Sequence, residues 1–77
     1  MKEICRQNFV YTLVEDEQGQ YFFELVVPAP MGAWANYVLK VRASSFQKWM
    51  IRINPDLADR IAERLIYQEK VRQIERF

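Results

Sequence analysis

The chain has 77 residues, of which 51% are hydrophobic and 27% are charged, and its 11 basic and 10 acidic residues leave a net charge of +1. It contains one cysteine and no histidine, so neither an internal disulfide nor a zinc site of Cys and His ligands can stabilise it. We therefore expect a single domain over residues 1–77 that is stabilised by packing or by association, with no metal and no cofactor.

Two stretches near the N-terminus have the composition of strands joined by a turn. Residues 9–14 and 20–27 are rich in aromatic and β-branched side chains, and the polar segment between them ends near Gly19. A third strand is predicted at 37–42, where side chains alternate between an apolar and a partly basic face. These segments predict a three-stranded antiparallel sheet. In the second strand both faces carry apolar residues, which is more apolar surface than one small core needs.

The loop between the second and third predicted strands is unusual because residues 28–36 carry no charge. Loops are normally polar, since they face water. This one contains Met31, an adaptable residue type, and Trp34, a type that often dominates the energy of interfaces. It has two interpretations: a tip at which Met31 and Trp34 contact a partner, or a lid that folds back over the core.

Residues 44–53 favour a short helix over a strand. Ser44 or Ser45 is placed to cap the helix, and its apolar residues recur at the spacing i, i+3, i+4 and i+7. These residues are Phe46, Trp49, Met50 and Ile53. That spacing is typical of the side by which a helix packs on a core, and it leaves only Ile51 off the apolar side. The alternative is a fourth strand over 46–53.

A long helix is predicted from about residue 55 to 76, because Asn54-Pro55-Asp56 is a typical helix start and no glycine or proline follows. At about 100° per residue, its apolar residues change side along the helix. The second set comprises Tyr67, Val71, Ile74 and Phe77. One straight helix on one sheet cannot bury both sets. The second set is therefore predicted to contact another protein or a second copy of the chain; the alternatives are a break near residues 67–68 or a frayed end.

Residues 48–65, KWMIRINPDLADRIAERL, resemble the strand-then-helix segment of ribbon-helix-helix repressors. This resemblance implies a strand whose outward residues, Lys48, Met50 and Arg52, enter the major groove of DNA. A DNA-binding transcriptional regulator is therefore the alternative function.

The residues needed for catalysis are missing from the sequence. Without a histidine, Cys5 has no imidazole base to activate it. The acidic run 15–17 lies on a predicted turn, where consecutive carboxylates point in different directions and do not form a metal site. We therefore expect no catalytic residue, no small-molecule substrate and no enzymatic activity.

We thus expect an α+β domain in which a three-stranded antiparallel sheet is followed by a short helix and a long helix. The N-terminal residues lack the apolar stretch of a secretory signal, and the charge-free run 25–39 is too short to span a membrane. A single cysteine is typical of the reducing cytoplasm, so we expect a cytoplasmic protein. The expected function is a non-enzymatic module that binds another protein, and a second copy of itself, as a regulator or inhibitor. Compact proteins of phages and other mobile elements, including anti-CRISPR inhibitors, resemble it in size and layout.

Overall fold

The computed structural model describes residues 1–29 and 36–76, except for the side chain of Arg76. Within these residues the elements are β1 (Lys2–Gln7), β2 (Tyr11–Glu15), β3 (Tyr21–Pro28), β4 (Asn36–Arg42), α1 (Ser45–Ile53) and α2 (Leu57–Arg76). The α+β fold class, with an antiparallel sheet followed by two helices, is confirmed. The sheet has four strands where three were expected. Neither helix of this part of the chain is long and apolar enough to cross a membrane.

β1 is not predicted by the composition of its residues. Its residues, KEICRQ, include three charges and two apolar side chains, so the segment lacks the composition of a strand in a core. It pairs antiparallel with β2 at one edge of the sheet, with a bulge between Glu3 and Cys5. Charged side chains suit an edge strand because they discourage pairing with another chain. The fourth strand is therefore β1, whereas residues 46–53 lie in α1.

The predicted hairpin is formed by β2 and β3. In its turn the Asp16 carboxylate accepts hydrogen bonds from the backbone N–H groups of Gln18 at 2.9 Å and Gln20 at 2.8 Å. Gly19 has a φ of +79°, a left-handed conformation that glycine adopts without strain. β4 pairs with the other edge of β3, so the strand order is β1-β2-β3-β4 and every neighbouring pair is antiparallel.

The core lies between one face of the sheet and the two helices. The strands contribute Tyr11, Leu13, Phe23, Leu25 and Val27, and the helices contribute Ile51, Ala58 and Ala62. The strand residues share a face because Tyr11 pairs with Leu25 and Leu13 pairs with Phe23 in the β2–β3 register. The small side chains of the two alanines let the backbone of α2 approach the sheet closely.

α2 turns the same side toward the sheet along its length. Its buried residues are Ala58, Ala62, Glu69 and Gln73. These positions lie on one side of a helix with about 3.6 residues per turn, and the helix does not break at residues 67–68. The apolar residues Tyr67 and Ile74 lie on the other side and are exposed. The C-terminal half of α2 thus buries polar side chains and exposes apolar ones.

The polar residues on the buried side of α2 are satisfied by Tyr37 of β4. The Tyr37 hydroxyl donates a hydrogen bond to Glu69 Oε1 at 3.2 Å and accepts one from Gln73 Nε2. Arg72 Nη1 lies 3.4 Å from the second carboxylate oxygen of Glu69. Buried polar groups cost free energy unless they are hydrogen-bonded. Tyr37 therefore stabilises the arrangement in which Glu69 and Gln73 of α2 face the sheet.

Candidate protein-binding surface

α1 is a short helix with well-defined ends. At its start the Ser44 Oγ accepts a hydrogen bond from the Gln47 backbone N–H at 3.1 Å, and the Gln47 Oε1 accepts one from the Ser44 backbone N–H at 2.9 Å. This capping box satisfies two backbone donors that a helix start leaves without partners. At its end the Asn54 N–H donates to the Met50 carbonyl at 2.9 Å. The helix is therefore fixed in length before any partner binds.

Three of the four residues on the predicted apolar side of α1 face solvent, so the expectation that this side packs on the core is wrong for them, whereas Met50 is half-buried. Phe46, Trp49 and Ile53 are 64%, 58% and 63% exposed, whereas Ile51, which the spacing left off the apolar side, is only 2% exposed. Ile51 lies nearly opposite the other three at about 100° per residue. Ile51 joins the core cluster, so its burial fixes the rotation of the helix and turns the opposite side outward.

We call Phe46, Trp49 and Ile53 the α1 stripe. The rings of Phe46 and Trp49 are stacked, with centroids 5.9 Å apart and an interplanar angle of 24°. Beside the stripe lies an open groove of about 550 Å³, lined by Ser45, Lys48, Trp49, Arg52 and Ile53. The stripe is therefore an exposed apolar surface, and the groove beside it is lined by both apolar and polar side chains.

Two cations stand along the groove, and α1 contains no acidic residue. The Lys48 ammonium donates a hydrogen bond to the Gly19 carbonyl and lies 5.2 Å from the centroid of the Tyr21 ring. These contacts hold α1 against the end of the β2–β3 hairpin. Arg52 is exposed and forms no ion pair with any described residue. The groove is therefore positively charged on one side and apolar on the other.

The residues predicted to contact a partner are not part of the α1 stripe. Tyr67 and Ile74 are exposed on α2, and Val71 is half-buried between them. They do not join the α1 stripe. Met31, Trp34 and Phe77 lie outside the described residues. The surface at α1 was missed because its apolar spacing was interpreted as the packing side of the helix.

The residues implied by the ribbon-helix-helix resemblance lie in α1 and not on a strand. Met50 borders a groove toward α2 that also includes Ile61, whereas Lys48 and Arg52 border the groove beside the stripe. The three side chains therefore do not share one face. The strand on which the resemblance depends is absent from residues 48–52, and DNA binding stays a prediction that no feature of this segment favours.

A polar cluster beside the core joins Tyr11, Asp59 and Cys5. The Tyr11 hydroxyl donates a hydrogen bond to Asp59 Oδ1 at 2.5 Å, and the Cys5 Sγ lies 3.6 Å from the same hydroxyl. Burial raises the pKa of Tyr11, and the hydrogen bond to Asp59 raises it further. A hydroxyl held in its neutral form is a poor base and a poor nucleophile, so this cluster is better suited to joining β2 to α2 than to chemistry.

Among the residues that the structure describes, no group of three or more Cys, Asp or Glu side chains is placed to hold a metal ion. Comparisons with protein-family models, curated proteins and solved structures give no match for this chain.

Proposed function

We propose that this protein is a non-enzymatic cytoplasmic binding module that docks on another protein through the α1 stripe and acts as a regulator or inhibitor by occupying the partner's surface. One observation carries the proposal: three large apolar side chains on one side of a capped helix are each more than half exposed. Large apolar side chains that lie together on a surface are typical of sites that bind other molecules.

The energetics support docking. Burying the exposed parts of Phe46, Trp49 and Ile53 is worth roughly 3–5 kcal/mol before the costs of association. Those costs are reduced because α1 is already ordered by its capping box, by the burial of Ile51 and by the Lys48 contact with Gly19. Aromatic side chains such as Trp49 are frequent energetic centres of interfaces. The stripe can therefore supply part of the binding free energy, and contacts of the partner around it must supply the rest, because association itself costs roughly 4 kcal/mol or more.

Calorimetry with a purified partner tests the proposal. The partner is first captured from the source cell on immobilised full-length chain, then purified and titrated against wild type and Trp49→Glu. Because the substitution places a carboxylate in the centre of the stripe, we expect binding to weaken by about 2 kcal/mol or more, which is roughly 30-fold.

Phe9→Glu is the matched control, since it makes the same kind of change at an exposed aromatic residue in the turn between β1 and β2. It should leave the affinity unchanged, and circular dichroism should show that both variants keep the fold. A partner that binds Trp49→Glu as tightly as wild type would refute docking through the stripe.

A further inference from the structure

The charges beside the α1 stripe define the chemistry of its partner. Resting on the proposed function, we propose that the stripe and its groove receive an acidic amphipathic helix of another protein. The apolar side of that helix packs on Phe46, Trp49 and Ile53, and its acidic side chains pair with Arg52 and, at the edge of the groove, with Lys48.

Arg52 and Lys48 are placed to pair with acidic side chains of a bound helix. Trp49 and Ile53 line the same groove as Arg52 and Lys48, so an apolar side chain and a carboxylate of one ligand can be accommodated together. Arg52 forms no ion pair with the described residues. Lys48 gives one hydrogen to the Gly19 carbonyl, which leaves two of the three donors of its ammonium. Opposite charges placed around an apolar contact favour the correct partner and penalise a basic one.

The backbone N–H and C=O groups of the bound segment must find hydrogen-bond partners within that segment. The surface of α1 exposes side chains, while its backbone N–H and C=O groups bond within the helix. An extended segment would lose water from its backbone against the stripe and gain no hydrogen bonds in return. A helical segment meets this requirement because its backbone bonds are internal, and its side chains at i, i+3 and i+7 match the spacing of the stripe.

A second copy of α1 fits the site less well. Each copy brings Lys48 and Arg52 and no acidic residue, so two stripes packed together bring like charges close to one another. The partner that complements the stripe is therefore an acidic helix rather than α1 of a second molecule.

Two synthetic amphipathic helices test the proposal by fluorescence anisotropy with the full chain. One peptide has leucine on one side and glutamate on the other, and the second has lysine in place of every glutamate. We expect the glutamate peptide to bind at least about tenfold more tightly than the lysine peptide. Its binding should weaken about tenfold in Trp49→Ala and stay unchanged in Phe9→Ala, which removes an exposed aromatic side chain in the turn between β1 and β2. Arg52→Glu, which leaves Lys48 beside a new carboxylate, should largely remove the preference between the two peptides.

Equal binding of both peptides, or binding that survives Trp49→Ala, would overturn the proposal. So would a wild-type dimer that Trp49→Ala converts to monomer, because the stripe would then belong to a second copy. If neither peptide binds although a purified natural partner needs Trp49, the acidic helix is refuted and the proposed function stands. If that partner also binds Trp49→Glu normally, the proposed function itself fails.

Discussion

The Tyr11 hydroxyl links residues that are far apart in the sequence. It donates to Asp59 near the start of α2 and lies beside Cys5 of β1, so one side chain of β2 holds two neighbouring elements. Nothing in the sequence marks this residue, because a tyrosine in a strand pattern is usually interpreted only as an apolar side chain. The contact determines where α2 begins on the sheet, which the periodicity of α2 alone does not give.

Tyr11 makes the free energy of unfolding depend on pH in the alkaline range. Its pKa in the folded chain lies above its ordinary value of 10.0, because burial and the Asp59 hydrogen bond favour the neutral form. Its contribution to stability is therefore complete below pH 10 and decreases as pH rises further, since the unfolded chain releases the proton first. We expect Tyr11→Phe to reduce the free energy of unfolding by about 1 kcal/mol near neutral pH. When the pH is raised to about 11, the free energy of unfolding, measured with urea, should fall less in Tyr11→Phe than in wild type.

Tyr67→Phe is the control for this experiment. Tyr67 is exposed on α2, so its removal should leave the wild-type dependence on pH unchanged. If Tyr11→Phe and wild type lose stability in parallel above pH 10, Tyr11 does not have the raised pKa inferred from its burial.

Phe9 shows why the first predicted strand begins too early. The sequence analysis places it in a strand, but it has a φ of +65° and is 92% exposed in the turn between β1 and β2. The turn closes with a hydrogen bond from the Val10 N–H to the Gln7 carbonyl at 2.9 Å. A left-handed conformation at a bulky residue costs roughly 1–2 kcal/mol. The strand prediction failed here because β1, which requires this turn, was itself not recognised.

At the scale of elements, α1 shows what periodicity can and cannot determine. The spacing of Phe46, Trp49 and Ile53 correctly predicts a helix with an apolar side. It does not determine whether that side faces the core, because the available space depends on all other elements. Ile51 fills the core position, and Lys48 is tied to the turn at Gly19, so the helix is rotated away from the orientation that its pattern favours.

This rotation predicts opposite effects for two apolar residues of the same helix. Ile51→Ala should reduce the free energy of unfolding by about 2–4 kcal/mol, because it leaves a cavity in the core. Trp49→Ala removes a much larger side chain but should change stability by no more than about 0.5 kcal/mol, because that side chain is exposed. Chemical unfolding of the two variants measures both values. If Trp49→Ala proves the more costly substitution, the stripe is not exposed as described.

In α2, too, the apolar periodicity predicts only part of the arrangement. The change of apolar side along the helix correctly separates Tyr67 and Ile74 from the residues that pack on the sheet. The pattern could not show that Glu69 and Gln73 continue the buried side, since these residue types are mostly exposed. They are buried because Tyr37 of β4 offers them hydrogen bonds, and that partner lies more than thirty residues earlier in the chain.

Over the whole molecule, locally encoded features were predicted best. The hairpin, β4 and both helices follow from turn residues, caps and periodicity, and these signals lie within each segment. β1 and the orientation of α1 depend on contacts between distant segments. The proposed binding surface depends on such contacts too: the excess of apolar residues predicts an exposed apolar surface, but the sequence does not show that Phe46, Trp49 and Ile53 are the residues exposed on α1.

Self-association is a prediction about the whole molecule and concerns the outer side of α2. Tyr67 and Ile74 are exposed there, and the sequence analysis assigns them to a second copy or another protein. If two copies pair through them, the mass by light scattering should rise toward that of a dimer with increasing concentration. Ile74→Glu should keep the chain monomeric, because it places a carboxylate in the contact.

Trp49→Glu is the control for this measurement and should leave the mass of the wild-type protein unchanged. A chain that stays monomeric at every concentration would refute pairing through α2. If a dimer forms and only Trp49→Glu abolishes it, the contact between the two copies lies at α1.

The exposure of Trp49 also gives the protein an intrinsic optical reporter. The chain contains two tryptophans, Trp34 and Trp49, so a Trp34→Phe variant emits from the stripe alone. An indole in contact with water emits at longer wavelengths than one enclosed by apolar groups, so docking on the stripe should move the emission maximum toward the blue. Binding, displacement and the kinetics of both then become measurable in solution without attaching a dye to either molecule.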